Sequence, residues 1–193
     1  VRFKRKLNEL NGSECKQDKD INNSAGPYVK PGVFYKIKNG NTFVDNWGSP
    51  KQGTQIRLAS HDNQASAGNY SNQLWKFVPT IYSNYYKIQN YNFYVFIDNW
   101  GQAKQGQKLR LGQYDNPPTA NNYTNQLWKI IPSTKKGFFK LENLGHFMDN
   151  WSNPKQGQEL KLASRDNQPS DGNYSNQLFE FIECPFPQKH GVK

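Results

Sequence analysis

The chain has 193 residues, a net charge of +10 and 28 Trp, Tyr and Phe residues. Its mean hydropathy of −0.99 and the lack of any apolar run near the ~18 residues of a membrane span exclude an integral helical membrane protein. The aromatic content excludes a disordered chain. Two Cys and three His leave no material for a disulfide-rich scaffold or a zinc cluster.

In chain order, residues 1–32 carry loop signals at Asn11-Gly12-Ser13, Asn22-Asn23-Ser24 and Gly26-Pro27. They read as an extended basic arm. From Val33 a strand pattern begins. Val33-Phe34-Tyr35-Lys36-Ile37 alternates and ends at the hairpin signal Asn39-Gly40. Thr42-Phe43-Val44-Asp45 returns, Gln55-Ile56-Arg57-Leu58 alternates again, and Leu74-Trp75-Lys76-Phe77-Val78 makes a fourth strand.

The same series then recurs twice. Asp45-Asn46-Trp47 returns as Asp98-Asn99-Trp100 and Asp149-Asn150-Trp151, at offsets of 53 and 51 residues. Lys51-Gln52-Gly53 returns as Lys104-Gln105-Gly106 and Lys155-Gln156-Gly157. Asn69-Tyr70-Ser71-Asn72-Gln73-Leu74-Trp75 returns as the segments from Asn122 to Trp128 and from Asn173 to Phe179. Four strands in each of three units, with almost no α-helix, predict an all-β fold. A unit this small cannot bury its own apolar face, so the three close on one core as a β-trefoil. A propeller needs at least four blades. The expected division is an arm over 1–32, a trefoil over 33–183 with repeats near 33–80, 81–133 and 134–183, and a tail over 184–193. The one insertion is two residues in the second hairpin, near Tyr91-Asn92-Phe93-Tyr94.

The threefold Asn-Gln-Leu-Trp motif, with Phe179 replacing the third Trp, resembles the Q-x-W signature of the ricin B-type (R-type) lectins. The spacing from Asp to core Trp, and the Gly-Asn-Tyr before Asn-Gln, look nearer the mushroom branch than the galactose-binding plant toxins. The resemblance implies sugar sites built from Asp45 with Asn72 and Gln73, Asp98 with Asn125 and Gln126, and Asp149 with Asn176 and Gln177. That chemistry suits a diol: an ionised acceptor beside amides that both donate and accept. The aromatic that galactose-specific members place after the third strand is replaced by Ala59, Gly112 and Ala163. Trp47, Trp100 and Trp151, with Tyr70, Tyr123 and Tyr174, are the substitute stacking platforms. His61, Tyr114 and Arg165 share one position and differ in chemistry, so the three pockets are expected to be unequal. Substituting the site Asp by Asn is expected to weaken glycan binding while hardly changing the melting temperature.

The expected function is carbohydrate binding at up to three sites, as a free agglutinin or as the targeting module of a toxin or hydrolase, without catalysis or a cofactor. The glycans implied contain N-acetylhexosamine or galactose. A protein-binding trefoil of the protease-inhibitor kind and a polyanion binder (nucleic acid or sulfated glycan) remain as alternatives. For the latter, a pI near 9.5 is tempered by lysines at Lys51, Lys104 and Lys155, which read as a distributed field. Asn69-Tyr70-Ser71, Asn122-Tyr123-Thr124 and Asn173-Tyr174-Ser175 are glycosylation sequons beside the sites. Their presence favours a bacterial secreted protein, or a cytosolic one that escapes the modification. Cys15 and Cys184 flank the repeats, where the ends of a closed trefoil meet, and are expected to pair.

Overall fold

The computed structural model describes residues 15–17, 28–48, 51–91, 94–101 and 103–184; most of the expected arm, Asn92 and Phe93 of the insertion, and residues 185–193 lie outside them. The strands are β1 (Lys16–Gln17), β2 (Phe34–Asn39), β3 (Thr42–Asp45), β4 (Arg57–Ala59), β5 (Trp75–Pro79), β6 (Tyr85–Asn90), β7 (Phe96–Asp98), β8 (Arg110–Gly112), β9 (Trp128–Pro132), β10 (Phe139–Asn143), β11 (His146–Asp149), β12 (Lys161–Ala163) and β13 (Glu180–Cys184). Every repeat supplies four of them, and β1 is an added edge strand. Regular helix among the described residues is limited to three 3-10 turns, Tyr70–Gln73, Tyr123–Gln126 and Tyr174–Gln177. None is long and apolar enough to cross a membrane.

Six strands form a barrel wall. β13 pairs with β2, β2 with β5, β5 with β6, β6 with β9 and β9 with β10, all antiparallel. Phe139 and Phe179 exchange backbone hydrogen bonds of 2.8 and 2.9 Å and complete the ring. The remaining strands make three hairpins, β3–β4, β7–β8 and β11–β12. They meet at one end of the barrel, where the amide of Ile56 donates to Leu109, that of Leu109 to Leu160 and that of Leu160 to Ile56. This closed triad marks the threefold axis. It also explains one difference from the sequence pattern. The third strand of the first unit begins at Arg57, not Gln55, because Gln55 and Ile56 bond to the neighbouring units.

The main core cluster is drawn from all three units, including Tyr35, Ile56, Trp75, Phe77, Ile97, Leu109, Trp128, Phe139, Leu160, Phe179 and Phe181, and a smaller one holds Phe34, Tyr70, Leu74 and Cys184. Phe139 and Phe181 stack with ring centroids 4.9 Å apart. Trp75 and Trp128 are fully buried, and each indole donates at 2.9 Å, to the Val44 and Ile97 carbonyls. Phe179 fills the third position as another fully buried ring. Cys15 and Cys184 form a disulfide. Beside it β1 pairs with the end of β13, Lys16 opposite Glu183 and Gln17 opposite Ile182. The bridge therefore fastens a segment preceding the first repeat to the last strand of the third.

Candidate functional site

Each second strand ends in Asp-Asn-Trp, and that tripeptide is held in a strained turn. Trp47, Trp100 and Trp151 have φ of 63°, 61° and 64°, a left-handed conformation costly for a bulky residue. The preceding Asp stabilises it: the backbone amides of Trp47, Trp100 and Trp151 donate to Oδ1 of Asp45, Asp98 and Asp149 at 2.6, 2.6 and 2.5 Å. The Asn between them accepts from the next amide, as Asn46 does from Gly48 at 3.0 Å. The turn lifts the indole to the surface, where the three Trp residues are 37–39% exposed. On one side a cation from the next strand lies over each ring: Arg57 over Trp47, Arg110 over Trp100 and Lys161 over Trp151, at 5.5–5.9 Å.

On the other side stands a neighbouring unit. The glycines of the Lys-Gln-Gly turns face these rings, Gly157 toward Trp47, Gly53 toward Trp100 and Gly106 toward Trp151. Their φ values of 78–81° suit a residue without Cβ. The adjacent Gln crosses to the same unit. Gln156 accepts from the Ser60 amide, Gln105 from the Ser164 amide and Gln52 from the Gln113 amide. Every site is thus closed by the unit before it in cyclic order.

A second interlock was missed at the level of sequence. Asn39, Asn90 and Asn143 end the first strand of each unit and are fully buried or nearly so. Asn46 donates to Asn90, Asn99 to Asn143 and Asn150 to Asn39, at 3.2, 2.7 and 2.6 Å. Asn39 also donates to the Leu178 carbonyl, Asn90 to Leu74 and Asn143 to Leu127. The available signal was an Asn three residues after each repeated Lys, at Lys36, Lys87 and Lys140.

The expected site residues divide into two groups. Gln73, Gln126 and Gln177 lie beneath the sites. Their amide nitrogens donate to Asp45, Asp98 and Asp149 at 3.0–3.1 Å, and their oxygens accept from the amides of Asn63, Asn116 and Asn167. Those side chains orient the carboxylate. Tyr70 and Tyr123 are not platforms: they are 3% and 5% exposed. Each packs over a buried lysine, Lys36 or Lys87, that pairs with Asp62 or Asp115. Burial pushes the Tyr70 phenol up to about 12, helped by Asp62. Tyr174 covers Lys140 in the same way but remains half-buried. Asp62, Asp115 and Asp166 are therefore ion-pair partners.

By contrast, Asn72, Asn125 and Asn176 are partly exposed, and their side-chain amides bond to none of the described residues. In the second unit Asn125 belongs to an open depression of about 270 Å³. Asp98, Trp100, Tyr114, Asn116, Asn122 and Asn125 line it, Gln126 closes its floor, and Gln52 arrives from the first unit. Tyr114 is 72% exposed, an aromatic face at the position where the other units have His61 and Arg165. Gly112 leaves room beside the carboxylate, since a Cβ there would come 2.9 Å from Asp98. No three His, Cys, Asp or Glu side chains converge as a metal site among the described residues.

Burial pushes the carboxyls of Asp45, Asp98 and Asp149 above the ordinary carboxylate range, against the opposing donation from the Trp amides and the Gln side chains. A folded-state pKa above the unfolded value contributes stability below the unfolded pKa that is lost as pH rises through the folded one. Ionising these groups at neutral pH therefore opposes folding. The geometry also corrects the expectation that Asn replaces Asp without effect on the fold. In the first and third units the carboxylate accepts from three donors, and an Asn amide turns a donor toward one of them. Asp45→Asn should cost about 1–3 kcal/mol, read as a lower thermal midpoint.

Residues 71–163 match the family described as ricin-type beta-trefoil lectin domain-like. No curated protein matches the chain. Among solved structures it is similar to the Rhizoctonia solani agglutinin, with 21% identity, a TM-score of 0.61, and coverage of 82% of this chain and 99% of that one. A Macrolepiota procera ricin B-like lectin in complex with lactose gives 17%, 0.57, 79% and 96% in the same order. A mosquitocidal holotoxin gives 22% and 0.62, with 82% of this chain covering 18% of the toxin. At these identities the structures speak for the fold, a β-trefoil. The domain type supports carbohydrate binding in general. The chain is thus a β-trefoil whose residues 71–163 resemble the ricin-type beta-trefoil lectin domain-like family.

Proposed function

We propose that the chain is a lectin with one glycan site per repeat, at the rim where each Asp-Asn-Trp turn meets the preceding unit's Lys-Gln-Gly turn. One observation carries this reading. In the second repeat a carboxylate (Asp98), an unspent amide (Asn125), the exposed ring of Tyr114 and the partly exposed edge of Trp100 border the same depression. A sugar presents hydroxyls to the first pair and an apolar ring face to the second. The corresponding sets are Asp45, Trp47 and Asn72, and Asp149, Trp151 and Asn176. With His61 and Arg165 in place of Tyr114, those two sites are weaker for a neutral sugar. Glycans containing N-acetylhexosamine or galactose are the proposed ligands. Use as the targeting module of a toxin or hydrolase is supported by the likeness to one portion of a holotoxin. Secretion is supported by the disulfide, since such bridges persist in oxidising compartments.

A glycan array, followed by calorimetric titration of the best neutral ligand, tests the reading. Tyr114→Ala should lower affinity by about 0.5–1.5 kcal/mol, of the order of one lost stacking contact, with an unchanged melting temperature because the ring is exposed. Retained affinity in Tyr114→Ala and Asp98→Asn alike would remove the second site from the assignment. Acidification supplies a further check. The ionised Asp98 is the acceptor and its pKa is raised, so affinity should fall with pH about a midpoint above the ordinary carboxylate value of 3.8. Binding that is flat down to pH 3.8 contradicts a role for the carboxylate.

A further inference from the structure

The residues flanking the Ile56–Leu109–Leu160 triad are Gln55 and Arg57, Lys108 and Arg110, and Glu159 and Lys161. Isolated bridges set Gln55 opposite Arg110, Lys108 opposite Lys161, and Arg57 opposite Glu159. Four cations are thereby gathered about the axis with one carboxylate, three of them (Arg57, Arg110 and Lys161) reaching from it to the Trp rings and Lys108 remaining beside Glu159. Glu159 is ion-paired to Lys108 at 2.9 Å. The Lys108 hydrogen bond, followed by the charges of Lys108, Lys161 and Arg57, holds its carboxyl below the usual range. Lys108 facing Lys161 is a like-charge cross-strand pair, which disfavours pairing. Lys108 nevertheless keeps 41% of its side chain exposed. Outside this ring, exposed Lys51, Lys104 and Lys155 sit in the turns that close the three sites.

We propose that this axial face is an anion-binding surface that takes the sulfate or carboxylate groups of an acidic glycan chain. The inference rests on the reading of the rim depressions as sugar sites and names their ligand class as acidic glycans whose neutral residues reach the rim. A positive surface bordered by hydroxyl-recognising groups fits such a chain. It fits nucleic acid less well, because the rim groups Asp98, Asn125 and Tyr114 suit neutral sugar residues lying between acidic ones, whereas a duplex presents a phosphate at every nucleotide.

The test measures binding of the full chain to a heparin-type sulfated polysaccharide, to the same polysaccharide desulfated, to a DNA duplex, and to the best neutral glycan. The wild type should prefer the sulfated chain to the desulfated one and to DNA, with affinity falling as salt rises. Lys108→Gln should weaken binding of the sulfated chain about fivefold and Glu159→Gln should strengthen it about threefold, the scale of one charge near the surface. Neither residue lines the second-repeat depression, so neutral-glycan affinity should stay the same in both. The opposite signs separate a charge effect from a folding defect. Equal binding of sulfated and desulfated chains, DNA binding as tight as that of the sulfated chain, or unchanged affinity in both variants would overturn the proposal. Sulfated-chain binding that follows the two charge changes, without any neutral-glycan binding, supports the axial surface and counts against the rim sites instead.

Discussion

Removing the Cys15–Cys184 bridge should lower the folding free energy by about 5 kcal/mol. The bridged residues are 169 positions apart, and the chain-entropy treatment of a loop that long gives a value of this size. The bridge also holds β1 against β13 and packs with the small cluster of Phe34, Tyr70 and Leu74. Denaturant titration of the intact protein and of a Cys15→Ser, Cys184→Ser double variant measures the difference. A loss under about 1 kcal/mol would show that the unfolded chain gains little freedom when the bridge is absent.

Trp128→Ala should cost about 3–5 kcal/mol, the range for core aromatics. The side chain is fully buried in the common core, and its indole is bonded to the Ile97 carbonyl. Thermal midpoints of chains this size shift about 2–4 °C per kcal/mol, so the transition should move by roughly 6–20 °C. Trp128→Phe should cost less, about 1–2 kcal/mol beyond any repacking, because only part of the ring and one buried hydrogen bond are lost. Phe179 shows that the fold accommodates Phe at this position in another unit. A midpoint for Trp128→Ala within 2 °C of the wild type would place the residue outside the cooperative core.

The repeats explain how much was legible in advance. Alternating apolar residues, the Asn-Gly turn and the threefold recurrence depend on local geometry and on copies of one pattern, so a single chain displays them directly. They determined an all-β fold of three four-stranded units, and the recurrent Asp, Asn and Trp marked the same turn in every unit. The pairing of Cys15 with Cys184 was accessible for a related reason: closing three units in a ring brings the ends together.

What a polar or aromatic residue does within its unit was decided by the tertiary structure. Tyr70, Tyr123 and Tyr114 are all tyrosines in surface-type segments, yet two cover buried lysines and the third stands in solvent. The difference arises because Lys36 and Lys87, on strands far away in sequence, come to lie under the first two. Gln73 and Asn72 are neighbours in sequence, but the 3-10 turn directs one amide inward to Asp45 and leaves the other unspent. The clasp through Asn39, Asn90 and Asn143, the closing of each site by another unit, and the basic ring on the threefold axis likewise join residues from different repeats. Copies in a sequence show what every unit contains. Contacts between copies form only when the barrel closes, because the burial and strand pairing that create them exist in the assembled fold alone.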